Sequence, residues 1–166
     1  MDAPKDLKQL QDLAVEIARN AGSLLMQRPA KLDVSTKTSD IDVVTQMDRA
    51  SERFIVDAIL KARPDDGIIG EEGAERPSKS GYTWVIDPID GTANFMRGVP
   101  VWGTLIALLH RGQPVLGAIH QPLLGQLLVG DGTTTTLNDR PVRCRPARRL
   151  EDSTVLTSDP FNPGKH

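Results

Sequence analysis

Apolar side chains return every three or four positions through the first part of the chain. Leu10, Leu13, Ala14, Ile17, Ala18, Ala21, Leu24 and Leu25 form one stripe, which predicts an amphipathic helix from Asp6 to Gln27. Pro29 ends it, because its ring removes a helical donor and clashes with the preceding turn. Lys31 to Asp42 is polar and predicts a short extended or mobile stretch. A second helix is predicted from Thr45 to Arg63, with Phe54, Ile55, Ala58 and Ile59 turned inward and Pro64 closing it.

Beyond Pro64 the apolar runs become short and strand-like. Gly67-Ile68-Ile69-Gly70 reads as a strand followed by Glu71-Glu72-Gly73, and Ala74 to Gly81 as a surface loop rich in Pro, Ser, Lys and Gly. Tyr82 to Ile86, Val101 to Leu109, Val115 to His120 and Gln126 to Val129 are further strands. Arg111-Gly112-Gln113-Pro114 joins two of them as a hairpin turn. Gly130-Asp131-Gly132 and four threonines predict a turn and a polar strand or loop, and Thr154 to Thr157 is a last strand candidate. Helices first and strands afterwards imply a layered α+β domain, two N-terminal helices packed on an antiparallel-rich sheet.

Composition narrows the functional classes. The 166 residues suffice for one domain with a core. A formal net charge of −2 offers no dedicated nucleic-acid surface. Arg140, Arg143, Arg145, Arg148 and Arg149 read as a solvated basic face. Cys144 is alone, so it forms no internal disulfide and reads as a buried or incidental thiol. The polar start lacks the apolar centre of a signal peptide, and no apolar run reaches the ~20 residues of a membrane span. The expectation is a cytoplasmic protein without membrane contact.

The candidate chemistry sits at the end of one strand. Trp84-Val85-Ile86-Asp87-Pro88-Ile89-Asp90-Gly91-Thr92-Ala93-Asn94-Phe95 places two carboxylates three residues apart, then a Gly-Thr pair and a helix start. Carboxylates suit a hard divalent cation, and a helix start offers N–H groups to a phosphate. Pro88 stiffens the turn between the acids, and Gly91 permits close approach of backbone. Glu71-Glu72 and the segment Asp42-Val43-Val44-Thr45-Gln46-Met47-Asp48 supply further acids. Each has a plainer reading. Asp42 suits a turn or cap, Asp48 the first turn of a helix, and Glu72 a neighbour of the ligands rather than a ligand. His110 and His120 lie in apolar strands and read as structural.

Gly70-Glu71-Glu72, the Trp84–Phe95 run, and Asp42-Val43-Val44-Thr45 with Asp48 together resemble the inositol monophosphatase family of metal-dependent phosphomonoesterases. The resemblance implies Mg²⁺ held by Glu71, Asp87, Asp90 and the carbonyl of Ile89. It places the Gly91 and Thr92 amides on the substrate phosphate. Thr92 paired with Asp48 would orient or deprotonate the attacking water, with Glu71 joining them in the catalytic set. Lys37 and Asp42 match polar positions near the metal. Water would attack directly, without a phospho-enzyme. The implied partner is a small phosphorylated metabolite, with neither nucleic acid nor membrane, in a possible homodimer.

Gly98-Val99-Pro100-Val101-Trp102-Gly103-Thr104, Pro114-Val115-Leu116-Gly117, Gln121-Pro122, Thr136-Leu137-Asn138 and Arg140-Pro141-Val142 resemble the histidinol-phosphatase branch in particular. That branch implies histidinol phosphate, with inositol 1-phosphate the alternative. The resemblance also implies a longer chain, with a further sheet layer and an aspartate ligand after a tryptophan. Neither Trp84 nor Trp102 precedes an aspartate. On that expectation the sequence is a fragment of a phosphatase, a chain completed by another polypeptide, or a metal- or partner-binding module without catalysis.

Overall fold

The computed structural model describes residues 6–36, 43–146 and 149–154. Lys37, Asp42 and residues 155–157 of the last strand candidate lie outside the described residues. The first helix, α1, spans Leu7–Leu25 and buries Leu10, Ala14, Ile17, Ala18, Ala21 and Leu25, so the apolar stripe is its packed face. The polar stretch after it contains a strand, β1 (Val34–Thr36), paired antiparallel with β2 (Val43–Thr45).

Thr45 caps α2 (Gln46–Ala62). Its hydroxyl accepts the Met47 N–H at 3.1 Å, and the Asp48 carboxylate accepts the Thr45 N–H at 2.8 Å. Such a cap stabilises a helix by ~1 kcal/mol. The inward face of α2 carries Asp48, Ser51, Glu52, Ile55 and Ile59. Phe54, expected inward, is exposed. One residue is about 100° of helix turn, and the arc facing the core is already taken by Ser51, Glu52 and Ile55. The spacing of apolar residues alone cannot show that polar side chains occupy that arc.

The remaining strands form one sheet: β3 (Gly67–Gly70), β4 (Glu75–Arg76), β5 (Tyr82–Asp90), β6 (Gly103–His110), β7 (Gln113–Gln121), β8 (Gln126–Gly130), β9 (Thr135–Leu137) and β10 (Arg140–Pro141). Their order is β10-β9-β8-β7-β6-β5-β3-β4, antiparallel throughout except for the parallel β3–β5 pair. Two departures from expectation stand out. The loop at 74–81 contains β4, and β5 runs four residues beyond Ile86. Between β6 and β7 the turn is Arg111-Gly112, at φ 52° and 78°. Left-handed residues at both positions match the twist of the flanking strands.

Both long helices lie on one face of the sheet. Leu10, Ile17, Ile55 and Ile59 pack against Ile68, Trp84, Ile106 and Leu108. Asp66 is buried in this layer and accepts from Trp84 Nε1 (2.9 Å), Arg63 Nε (3.0 Å) and Ser80 Oγ (2.7 Å), so its charge is paired. A smaller cluster of Leu25, Met47, Ile89, Phe95 and Trp102 lies beneath the acidic motif. On the opposite face of the sheet, Ile69, Val85, Leu105, Ala107 and Ile119 line an open groove of about 500 Å³ that reaches Glu71 and Asp87.

Candidate active site

Asp87 and Asp90 are three residues apart on a strand, and on a regular pleat they would point to opposite faces. The register prevents this. Asp87 pairs with Leu105 and Asp90 with Gly103, so β5 holds two residues where β6 holds one. This bulge re-aims the second acid. It also explains Pro88 inside a strand, since a bulge releases the position from donating to the ladder. Thr104 is fully buried, and its hydroxyl donates to the Pro88 carbonyl at 3.0 Å. Ile89 anchors the bulge by burying its side chain in the cluster with Phe95 and Trp102, whose rings meet edge-on at 4.9 Å.

Glu71 arrives from the neighbouring strand. Gly70 pairs with Ile86 in the parallel β3–β5 ladder, and the Glu71 N–H donates to the Ile86 carbonyl at 3.0 Å. Glu71 therefore sits beside Asp87. Asp87 is pushed up to about 8, first by burial, then by its hydrogen bond and charge contact with Glu71, then by Asp90. The Ile89 N–H works in the opposite direction. One oxygen of Asp87, Oδ1, is fully buried and has no hydrogen-bond partner among the described residues.

A buried carboxylate oxygen without a donor, repelled by two acids, fits a hard divalent cation. Among the described residues no three Asp, Glu, His or Cys side chains form a ready-made cage. The Asp87 contacts nevertheless put Glu71 and Asp90 within electrostatic reach of it, and Mg²⁺ commonly takes only one or two carboxylates, filling its shell with water and phosphate oxygens. The donor set is partial in that sense and chemically suited to the ion.

The second part of the site joins α2 to the start of α3 (Thr92–Arg97). Thr92 Oγ1 lies 2.9 Å from Asp48 Oδ1 and 3.0 Å from the Ile89 carbonyl, so its single proton is shared between these two acceptors. Asp48 is fully buried, and its other oxygen accepts the Thr45 N–H and hydroxyl. Asp48 thus serves both the helix cap and the motif. Gly91 precedes α3 at φ 89°, and a Cβ there would stand 3.0 Å from the Val101 carbonyl, so the position excludes other residues. The first bonds of α3 run from Asn94 and Phe95 to the Gly91 carbonyl, and the amides ahead of them are the orphan donors of a helix start.

Several other residues fall outside this grouping. His110 stacks on Tyr82 with ring centroids 4.6 Å apart. His120 holds Nδ1 2.9 Å from the Ala18 carbonyl, and burial lowers its pKa. Cys144 is exposed, as are Arg140, Arg143, Arg145 and Arg149. Reading the sequence alone misses Glu52, a buried acid that accepts the N–H groups of Glu72 and Ala74. Nothing in its local sequence marks it, because its partners lie twenty residues away in the chain.

Residues 6–162 match the model of the inositol monophosphatase family. The chain is 40% identical over 150 residues to a histidinol-phosphatase of Chlorobaculum parvum, a match covering 89% of this chain and 58% of that protein. It is 37% identical over 143 residues to a fructose-1,6-bisphosphatase/inositol-1-monophosphatase of Thermotoga maritima, covering 85% of this chain and 55% of the relative. Among solved structures, the extragenic suppressor protein SuhB of Bartonella henselae matches with a TM-score of 0.80 at 34% identity, over 86% of this chain and 57% of that one. The chain spans somewhat more than half the length of these relatives.

Proposed function

Because the chain belongs to the inositol monophosphatase family, we propose that it carries the metal- and phosphate-binding part of a Mg²⁺-dependent phosphomonoesterase acting on histidinol phosphate. The observation that carries this reading is Asp87, whose buried Oδ1 has no donor and whose carboxyl is crowded by Glu71 and Asp90. Glu71, Asp87, Asp90 and the Ile89 carbonyl would hold the cation. When bound, it supplies Lewis acidity, acidifying water and offsetting charge on phosphoryl oxygens.

The protein's own groups do the rest. The Thr92 hydroxyl donates to Asp48 and keeps a lone pair for a proton of the attacking water, which orients that water and draws its proton toward Asp48. The Gly91 and Thr92 amides, fixed ahead of the first bonds of α3, donate to the phosphoryl oxygens as their charge grows. The substrate choice rests on the histidinol-phosphatase relative and the branch-like strands. The Thermotoga relative, named for other substrates at similar identity, supports inositol 1-phosphate as the second candidate. A cytoplasmic homodimer acting on small phosphorylated metabolites is the setting proposed.

A non-catalytic metal- or partner-binding module is the rival reading, favoured by the absence, among the described residues, of three Asp, Glu, His or Cys side chains gathered as a ready-made cage. Phosphate release by the purified chain with Mg²⁺ separates them. Release from histidinol phosphate that disappears in Asp90→Asn supports the proposal. Faster release from inositol 1-phosphate moves the substrate, and Mg²⁺ binding without release above background selects the module. Turnover unchanged by Asp90→Asn overturns the site.

A further inference from the structure

The turn that carries Glu71 is held from beneath by a residue on α2. Glu52 is 5% exposed, and its two oxygens accept different amides of one turn. Oε2 takes the Glu72 N–H at 2.8 Å and Oε1 takes the Ala74 N–H at 3.0 Å. The same turn is closed by the Gly70 N–H donating to the Ala74 carbonyl at 2.7 Å. Gly70 makes room for the contact, since a Cβ there would stand 2.2 Å from Glu52 Oε2. Two observations, the paired amides and the glycine cradle, therefore describe one fitted joint.

We propose that Glu52 is a positioning residue that fixes the Gly70–Ala74 turn so that the Glu71 carboxylate stays beside Asp87, and so sets the cation affinity of the site. This rests on the metal-binding reading above. The chemistry favours a carboxylate over other side chains. It is acceptor-only, so both oxygens can take N–H groups at once. A glutamine would turn one of its ends into a donor facing a donor. Without the joint, the partly exposed turn keeps its own Gly70–Ala74 bond and the Glu71 N–H donating to the Ile86 carbonyl, but loses the two contacts that tie it to α2. Glu71 would then sample positions away from Asp87. Groups that orient metal ligands typically contribute on the order of tenfold or more in affinity.

The test uses Mn²⁺ as the probe, its binding to the full chain followed by electron paramagnetic resonance. Wild type is compared with Glu52→Gln, Asp87→Asn and Ile59→Val, the last a core change on the same helix that loosens packing without touching the turn. The expected result is loss of binding in Asp87→Asn, affinity on the order of tenfold weaker in Glu52→Gln, and wild-type affinity in Ile59→Val. Wild-type affinity in Glu52→Gln, with Asp87→Asn still defective, overturns this proposal alone. Absence of Mn²⁺ binding in wild type, or binding unaffected by Asp87→Asn, overturns the metal site and this proposal with it. Equal weakening in Ile59→Val assigns Glu52 to general stability and also overturns it. Should Glu52→Gln fail to fold, Gly70→Ala carries the test, because its methyl displaces Glu52 from the turn. Wild-type affinity in that variant is the overturning result.

Discussion

Thr92 Oγ1 sits 2.9 Å from Asp48 Oδ1, a link between two helix starts that lie forty-four residues apart in the chain. Asp48 is fully buried, so removing the hydroxyl leaves a carboxylate oxygen without its donor. Thr92→Val is expected to lower stability by ~1–3 kcal/mol and any phosphatase kcat by roughly 10²–10⁴-fold, the usual scale for a lost proton-handling group. Thr92→Ser keeps the hydroxyl and is expected to retain most of both. Thermal unfolding and initial rates on histidinol phosphate check the pair. A Thr92→Val protein with wild-type kcat would remove the hydroxyl from the mechanism.

The bulge in β5 depends on Thr104, whose hydroxyl satisfies the Pro88 carbonyl from a fully buried position. Thr104→Val keeps the shape and removes that donor. The expected cost is ~1–3 kcal/mol, read by denaturant unfolding. Because Asp87 and Asp90 flank the bulge, Mn²⁺ affinity should fall in the same variant. Unchanged affinity would show that the bulge holds its shape through Ile89 packing alone.

Asp87 ties cation binding to pH. Its folded-state value of about 8 lies above the ordinary 3.8, through burial first and the neighbouring acids second. The folded protein holds this proton more tightly than the unfolded chain. In metal-free protein the group's stabilising contribution is therefore complete below the ordinary value and is lost as pH rises through about 8. Cation binding must displace the proton, so affinity should climb by about tenfold per pH unit on the acid side and level off above the shifted value. Calorimetric titration across this range checks it. An affinity that stays flat across this range in the wild-type protein would show that the cation displaces no proton from Asp87.

The helices and the acidic motif are legible in the sequence because local patterns encode them. The α1 stripe is continuous, and the Trp84–Phe95 run carries its own turn chemistry in Pro88, Gly91 and Thr92. What escapes is long-range and polar. Glu52 and Asp66 are buried acids whose donors come from distant turns and strands, so no periodicity marks them. Phe54 misleads for the converse reason, since Ser51 and Glu52 hold part of the arc that an apolar residue was expected to fill. β5 is read too short because proline normally argues against a strand, whereas here a bulge accommodates it.

Gly22 offers a test in which two ordinary rules conflict. It lies inside α1, where replacing glycine by alanine usually stabilises a helix by ~1 kcal/mol. A Cβ at this position would stand 2.5 Å from His120 Cε1 and 3.2 Å from Pro122 Cβ. The imidazole cannot simply swing aside, because Nδ1 is held 2.9 Å from the Ala18 carbonyl and the ring is half-buried between α1 and β7. Overpacking of this kind costs ~1–3 kcal/mol, enough to outweigh the helical gain. Gly22→Ala is therefore expected to lower the unfolding midpoint, with the double variant Gly22→Ala/His120→Ala recovering part of the loss as the ring is removed. A Gly22→Ala protein more stable than wild type would show that α1 and β7 separate at this contact without cost, contrary to the packing described.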